Sequence, residues 1–318
     1  MSMNMFSVHG PAAGSLAHLG WWLLVVAALV AVVVGALVLL ASARRRAGRA
    51  NDEVPALAGA ASGLPWIYVG GVAVPAVILV LSLVFTLGTV RAIAAPARRP
   101  TTTVRVVGRR WWWELTYLGV GDGAPAFVTA NELHVPVGQP VRLELTSADV
   151  IHSYWVPQLA GKMDLNPGAT NVTWIEADTE GVYRGQCAEY CGEQHANMAT
   201  LVVAESPARF AAWLAAQRAA ALAPAAPAAA AGRLVFERSA CASCHTIRGT
   251  AARGRVGPDL THLAARLTLA AGTLANARGA LAGWIANAQA LKPGNVMPTM
   301  ALPPRELHEL VAYLETLK

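Results

Sequence analysis

The sequence predicts a multi-domain membrane protein, with a two-helix transmembrane hairpin, an all-β domain and an all-α domain in that order. Two uncharged apolar runs, at 19–43 and 66–90, are each long enough to cross a bilayer core, which needs about 20 residues. Short runs of alternating apolar and polar residues follow, separated by turn signals. Beyond an Ala/Pro-rich stretch, apolar residues recur with helical spacing.

The composition agrees with the hairpin. Hydrophobic residues make up 55% of the 318 residues and charged residues only 14%, which is unusual for a soluble protein. We therefore predict transmembrane helices at 19–43 and 66–91, and Pro75 is tolerated in the second because neighbouring groups take up the freed carbonyl. The alternative, two buried core helices of a soluble domain, is disfavoured because apolar runs this long seldom occur there.

Charge asymmetry orients the hairpin. Arginines follow the first run directly, whereas the tail 1–18 contains no Lys or Arg. The positive-inside rule then places the loop 44–65 in the cytoplasm, and the tail and the long C-terminal region outside. The net charge of +6 does not indicate a nucleic-acid partner, because the basic residues are scattered or lie beside the membrane.

The region 92–219 is predicted to be a β-sandwich or barrel that ends in a helix. Apolar and polar residues alternate over 141–145, the period of a half-buried strand, and a G-D-G-A-P turn signal at 121–125 separates two such runs. Ser206-Pro207 suits the cap and the first position of the closing helix.

A linker and a second module complete the chain. Residues 220–232 are almost entirely Ala and Pro, which cannot build a core, so we predict a semi-extended linker. The module at 233–318 is predicted to be helical, because apolar residues follow the i, i+3, i+4, i+7 rule at Leu307, Leu310, Val311 and Leu314.

Residues 187–198, C-A-E-Y-C-G-E-Q-H-A-N-M, concentrate potential metal ligands. Thiolate, imidazole and thioether are soft to borderline donors that suit copper or zinc, and a histidine upstream could complete a site for two ions. A disulfide between the two cysteines is the alternative. The candidate ligands are His152, Cys187, Glu189, Cys191, His195 and Met198.

The motif C-A-S-C-H at 241–245 has the spacing of a covalent haem c attachment site. Cys241 and Cys244 would form the thioethers and His245 would bind the iron. Met297, in K-P-G-N-V-M-P, is the predicted second axial ligand, and Met300 is its rival. The carbonyl of a Gly-Pro pair at 257–258 could accept a hydrogen bond from the His245 ring. A zinc or redox C-x-x-C is the alternative, but it leaves the histidine and the methionine loop unexplained.

With these motifs in view, the chain resembles subunit II of the haem–copper cytochrome c oxidases, in the variant with a class I cytochrome c fused to its C-terminus. The resemblance implies a cupredoxin-like fold for 92–219 and a cytochrome c fold for 233–318. It also implies a binuclear copper A centre bridged by Cys187 and Cys191. Its shell would be completed by His152, Met198, His195 and the Glu189 carbonyl, and the Glu189 side chain would reach a magnesium or manganese ion at the junction with subunit I.

The stretch G-R-R-W-W-W-E-L-T-Y at 108–117 resembles the aromatic motif of the family, which implies that Trp111 passes electrons to copper. Because strand residues alternate between two faces, Trp112 should face away from Trp111 and Trp113.

Four further residues complete the candidates. Asp149 is a candidate to orient a ligand histidine, with a turn role as the alternative. His134, His262 and His308 are predicted to be surface residues, because nothing in the sequence pairs them with a metal.

The resemblance implies an electron-transfer subunit of a respiratory terminal oxidase, a proton-translocating oxidoreductase, in a prokaryotic plasma membrane. Electrons would come from cytochrome c or a quinol:cytochrome c reductase, and subunits I and III and membrane lipid would be the partners. Three alternatives remain: a copper A subunit of a nitric oxide reductase, a membrane-tethered sensor or metal-delivery module, and a quinol oxidase subunit. Quinol oxidase subunits lack the copper ligands, so the intact ligand set of this chain argues against that alternative.

Overall fold

The structure, a computed structural model, describes residues 3–49, 60–120 and 126–318. The chain forms two compact units: one comprises 14–94, and the other comprises 1–13 together with 95–318. The turn predicted at 121–125 and residues 50–59 of the predicted cytoplasmic loop lie outside the described residues.

The first unit is helical, as predicted. Its elements are α1 (Pro11–Arg49), α2 (Ala60–Trp66), a π-helical segment (Ile67–Ala73) and α3 (Val74–Ala94). Helix α1 begins before the predicted span because Pro11 suits the first helical position. The π-helical segment ends two residues before Pro75, which removes a backbone donor and crowds the preceding turn. Within the described residues, the most apolar window of each helix is free of buried residues, as expected of spans that face lipid.

Residues 95–218 form the β domain, whose described part contains two five-stranded sheets and one α-helix. The first sheet has the order β3-β2-β1-β5-β8, in which only β1 and β5 are parallel. Its strands are β1 (Thr102–Arg109), β2 (Trp112–Val120), β3 (Phe127–Ala130), β5 (Val141–Ser147) and β8 (Asn171–Ile175). The second sheet has the order β4-β10-β9-β6-β7. Its strands are β4 (Glu132–Pro136), β10 (Ala199–Glu205), β9 (Gly181–Cys187), β6 (His152–Trp155) and β7 (Met163–Leu165).

Alternating burial along the strands confirms the predicted period of two. Val141, Leu143 and Leu145 are fully buried, whereas the residues between them face outwards. Helix α4 (Pro207–Arg218) closes the domain, and the Ser206 hydroxyl caps it by accepting the Arg209 N–H at 3.4 Å.

The N-terminal segment packs on the β domain. The His9 N–H donates to the Gln158 carbonyl at 2.9 Å, and the His9 carbonyl accepts the Asp178 N–H at 2.8 Å. The Ala13 N–H donates to the Leu159 carbonyl at 3.2 Å. These backbone bonds place the start of the chain beside the loops that flank β6 and β8.

Residues 227–318 form the C-terminal domain, which is helical as predicted. Its elements are α5 (Pro227–Arg238), α6 (Cys241–Cys244), a hairpin of β11 (Thr268–Leu269) and β12 (Leu274–Ala275), α7 (Arg278–Ala286), α8 (Ala288–Leu291) and α9 (Pro304–Leu314). Helices α5 and α9 pack together, with the rings of Phe236 and Tyr313 6.2 Å apart. Helix α5 begins inside the predicted linker because its alanines favour helix and Ala229 is buried.

The surface prediction for three histidines is correct only for His308, which is exposed. His262 is only 6% exposed, and its ring nitrogens lie 2.7 Å from the Lys318 carbonyl and 3.2 Å from the Ala219 carbonyl. His134 is half-buried and stacks on Trp213 at 4.1 Å. Both rings find aromatic or backbone partners from distant parts of the chain.

Candidate functional site

Strand pairing brings the predicted metal ligands together. His152 opens β6, Cys187 ends β9, and Met198 immediately precedes β10. Strand β9 pairs with both β6 and β10, so these positions meet at one end of the second sheet. Cys191 and His195 lie in the loop between β9 and β10. Ligand atoms of His152, Cys187 and Cys191 all lie within 4.8 Å of one another.

The remaining distances give the cluster its geometry. The Cys187 Sγ lies 3.8 Å from the Cys191 Sγ, 3.9 Å from the His152 Nδ1 and 3.3 Å from the Glu189 carbonyl oxygen. The Cys191 Sγ lies 3.6 Å from the His195 Nδ1 and 3.9 Å from the Met198 Sδ. His152 and Met198 are fully buried. The four other predicted donors therefore lie around the two cysteine sulfurs.

This donor set fits copper. Two sulfurs that share a metal ion at about 2.3 Å each can lie at most about 4.6 Å apart, and the observed separation satisfies that limit without a sulfur–sulfur bond. Thiolate, imidazole and thioether together are soft donors that copper prefers over hard cations. The hydrogen bond from the Cys191 thiol lowers the pKa of Cys187, which favours the thiolate that binds metal.

Asp149 orients His152, as predicted for an orienting group. Its Oδ1 lies 2.8 Å from the His152 Nε2, which leaves Nδ1 turned toward Cys187. Its Oδ2 accepts the Arg110 N–H at 2.7 Å. Burial alone would raise the pKa of Asp149, but hydrogen bonds from His152, Val150 and Arg110 outweigh it and lower that pKa. The carboxylate thus stays ionised and fixes the imidazole tautomer.

The three consecutive tryptophans alternate as predicted. Trp111 and Trp113 are 8% and 0% exposed, whereas Trp112 is half-buried beneath the Arg109 guanidinium. Trp113 packs edge-on against His152. The Trp111 indole N–H donates to the Cys191 carbonyl at 3.0 Å. Trp111 is therefore bonded directly to the loop that carries the ligands.

A cavity of about 560 Å³, within the range of pockets that hold a cofactor, is lined mainly by the C-terminal domain and in part by the β domain. Its lining includes all the residues that were predicted to bind haem, and Trp111 forms part of its wall. These lining residues are Cys241, Cys244, His245 and Met297, and the rival Met300 also lies at the wall. A deep, mostly apolar chamber with two thiols and an imidazole at its wall fits a covalently attached haem.

His245 is held in place for iron binding. Its Nδ1 donates to the Pro258 carbonyl at 2.8 Å, as predicted, so Nε2 remains available to a metal. A Cβ at Gly257 would lie 2.4 Å from the His245 Cε1, so only glycine allows this close approach. Burial lowers the pKa of His245, which keeps the imidazole neutral as a ligand must be.

The methionine loop is anchored at Met297. Its N–H donates to the Asn295 Oδ1 at 2.8 Å, and its carbonyl accepts the Gln289 amide at 2.7 Å. Met297 and Met300 are both half-buried at the cavity wall. Sequence reasoning did not single out two buried charged residues that lie between the domains, Glu132 and Lys292. Lys292 opens the K-P-G-N-V-M-P stretch, but that stretch points to the methionine and not to the lysine, and no motif contains Glu132.

Comparison with known proteins supports the interpretation of both the β domain and the C-terminal domain. The family model for the cytochrome c oxidase subunit II periplasmic domain matches residues 121–205, and the model for cytochrome c matches 229–318. Cytochrome c oxidase subunit 2 of Bacillus sp. (strain PS3) is 32% identical over 247 residues, which cover 74% of this chain and 67% of that protein. This chain belongs to the cytochrome c oxidase subunit II family. Its two apolar helices, cupredoxin-like β domain and cytochrome c domain follow that family's expected fold.

Two further similarities were found. Cytochrome c oxidase subunit 2 of Alkalihalophilus pseudofirmus is 39% identical over 219 residues, which cover 69% of this chain and 62% of that protein. The chain therefore spans somewhat less than two thirds of that relative's length. The crystal structure of the periplasmic domain of subunit II of cytochrome oxidase (CoxB) of Bradyrhizobium japonicum is 30% identical, with a TM-score of 0.36; the match covers 39% of this chain and 97% of that one.

Proposed function

We propose that this subunit II carries electrons in a respiratory terminal oxidase, from haem c through copper A to the haem of a separate subunit I that reduces oxygen to water. One observation carries the proposal. Trp111 donates a hydrogen bond to the carbonyl of Cys191 and also lines the cavity of the C-terminal domain. A single side chain thus contacts both candidate sites.

The residues divide into two binding sets. Cys241, Cys244, His245 and Met297 would hold haem c. His152, Cys187, Cys191, His195, Met198 and the Glu189 carbonyl would hold copper A. When bound, each group takes up and releases one electron, so the electron lost at the first is the electron gained at the second. The chain's part is to exclude water and to restrain the ligands, and the burial of His152 and Met198 serves both purposes.

The side chain of Glu189 has a different role in this proposal. Its carboxylate is 44% exposed and lies 3.7 Å from the Lys162 ammonium. A shared magnesium or manganese ion at this carboxylate stays a prediction from the resemblance. The exposed position is compatible with a ligand offered to a partner subunit.

The membrane helices indicate where the chain is located and which subunits it binds. The chain is membrane-anchored through α1 and α3, and we propose a prokaryotic plasma membrane with both termini on its outer face. The backbone bonds of His9 and Ala13 to the β domain support a common face for the tail and that domain. Subunits I and III would pack on the helices. Cytochrome c or a quinol:cytochrome c reductase would supply electrons.

A methionine substitution tests the proposal. Met198→Leu in the purified complex should leave haem c reducible by cytochrome c and should slow oxygen consumption, because the thioether ligand is lost while the buried volume is kept. Met163→Leu in β7, a matched change at a half-buried methionine, should leave turnover unchanged. Unaltered oxygen turnover in Met198→Leu would contradict the proposal. If the complex reduced nitric oxide in place of oxygen, the same electron path would belong to a nitric oxide reductase.

A further inference from the structure

Lys292 is a buried cation at the boundary between the β domain and the C-terminal domain. It follows α8 and is only 2% exposed. Its Nζ donates to the carbonyls of Trp111 at 2.8 Å, Asn197 at 2.7 Å and Ala270 at 3.0 Å. Two of these carbonyls belong to the β domain. The three donors of the ammonium are thus all used, mostly across the boundary.

Glu132 makes the reciprocal contact from the β domain. It lies on β4 and is 3% exposed. Its carboxylate accepts the Leu267 N–H at 2.9 Å, the Thr268 N–H at 2.8 Å and the Thr268 hydroxyl at 3.0 Å. All these donors lie in the C-terminal domain. Each domain therefore inserts one buried charge among main-chain groups of the other.

Such charges favour one relative position of the domains. Burial of a charge is costly unless hydrogen bonds replace its hydration. The carbonyl and amide dipoles supply that replacement only in the observed register. A shifted docking would bury the same charges without partners, which disfavours it.

The interface between the two domains extends to residues that flank the proposed copper ligands. The Ala199 N–H, next to Met198, donates to the Ala271 carbonyl at 3.0 Å in the hairpin turn. On the other side, Gly294 has a φ of 76°, and a Cβ there would lie 2.5 Å from the Glu193 carboxylate and 3.6 Å from the Trp111 ring. The C-terminal domain therefore packs closely against both the Trp111 ring and the residue that follows Met198.

We propose that Lys292 and Glu132 are positioning residues that hold the C-terminal domain on the β domain in one fixed orientation. Trp111 then stays between the haem cavity and Cys191. The alternative is a C-terminal domain that swings on the linker at 219–226 and docks only transiently. The consequence for electron transfer rests on the proposed function, whereas the docking itself does not.

The dependence of the electron-transfer rate on solvent viscosity distinguishes fixed from transient docking. It is measured in the full chain loaded with haem and copper. After flash reduction of the haem, a fixed orientation predicts an electron-transfer rate that does not change with added glycerol. Lys292→Met should lower that rate about tenfold or more and make it fall with viscosity, because the Trp111 and Asn197 carbonyls lose their donor. Glu132→Gln, made in the other domain, should do the same. Optical and EPR spectra of each variant should still show both groups.

Matched controls exist for both changes. Lys318→Met alters an exposed lysine in the same domain, and Glu180→Gln alters an exposed carboxylate whose partner Arg209 is also exposed. Both controls should behave as wild type. A viscosity-dependent rate in the wild-type chain, or equal rates in Lys292→Met and Lys318→Met, would overturn the proposal.

A second readout does not require bound metal. With a protease site placed in the linker at 219–226, the cut wild-type chain should keep its two parts together on gel filtration. Lys292→Met and Glu132→Gln should each weaken that association about 100-fold, as expected when charge-assisted hydrogen bonds are lost. Separation of the wild-type parts would refute the docking. Absence of copper from the intact chain would refute the proposed function and leave this docking test valid.

Discussion

The indole nitrogen of Trp111 donates a hydrogen bond to the carbonyl oxygen of Cys191, 3.0 Å away. Trp111 precedes β2, and Cys191 lies in the loop after β9, so the bond joins the two sheets of the β domain. The same ring forms part of the wall of the cavity that contains His245. Trp111 therefore links the two candidate redox sites through one side chain.

Replacement of that indole should slow electron transfer between the sites. Trp111→Phe keeps an aromatic ring but removes the donor to Cys191, so we expect a rate at least about tenfold lower after flash reduction of haem c. Haem and copper contents should not change. Trp174→Phe on β8 tests the general loss of a buried tryptophan from the same domain and should have little effect on the rate. An unchanged rate in Trp111→Phe would exclude the tryptophan from the path.

The carboxylate of Asp149 should set the affinity for copper. Asp149→Asn weakens the hydrogen bond that fixes the His152 tautomer, and loss of such outer contacts lowers metal affinity about 10- to 100-fold. Copper titration followed by EPR measures this effect. Asp164→Asn, at a carboxylate that is 45% exposed, is the control and should bind copper as wild type does. Equal affinities in both variants would assign Asp149 a turn role only.

The two methionines at the cavity give opposite expectations. Met297→Leu should remove an axial ligand, which lowers the reduction potential of haem c and abolishes the spectrum of a methionine-bound iron. Met300→Leu changes a half-buried methionine at the same wall and should retain both properties. Redox titration with optical detection distinguishes them. If Met300→Leu alone lost the signature, Met300 would be the ligand.

Glu205 predicts a pH dependence of stability. Its carboxylate lies 3.0 Å from the His134 ring, and this hydrogen bond lowers the pKa of Glu205 below its ordinary value of 4.5. A carboxyl group with a lowered folded pKa stabilises the fold above its unfolded pKa, and this stability is lost as the pH falls through the folded value. Glu205→Gln should therefore lower the free energy of unfolding by about 0.5 kcal/mol at pH 7, and the difference should shrink toward pH 3.

Urea unfolding at both pH values measures this difference. Glu144→Gln, at a carboxylate with longer ion-pair distances on β5, is the control. A Glu205→Gln difference that stays constant from pH 7 to pH 3 would show that the ionised carboxylate is not the source of the stability.

Local patterns made much of the fold predictable. Five of the six predicted copper ligands fall within residues 187–198, so one short segment holds them near one another, and only His152 comes from a distant strand. The haem motif at 241–245 is equally local, and the alternation over 141–145 reports burial directly. The length of the two apolar runs alone was enough to predict the helical hairpin.

Contacts between distant residues were not predictable. Lys292 and Trp111 are 181 positions apart, and the acceptor is a backbone carbonyl, which leaves no trace in the residue type. Lysine is also rarely buried, so the residue type alone favours an exposed position. His262 was misassigned for the same reason, because its partners are the backbone carbonyls of Ala219 and Lys318.

The start of α5 was missed because alanine and proline suit both an extended linker and a helix. Pro227 occupies the first helical position, and Ala229 becomes buried only when α9 packs against α5. Tertiary packing, and not the local sequence, decides between the two conformations.

Metal analysis and EPR of the intact, matured chain test the central claim most directly. The account predicts haem iron together with a copper pair that shares one unpaired electron, held by the sulfurs of Cys187 and Cys191. Protein without copper, or with a disulfide between those two sulfurs, would contradict it.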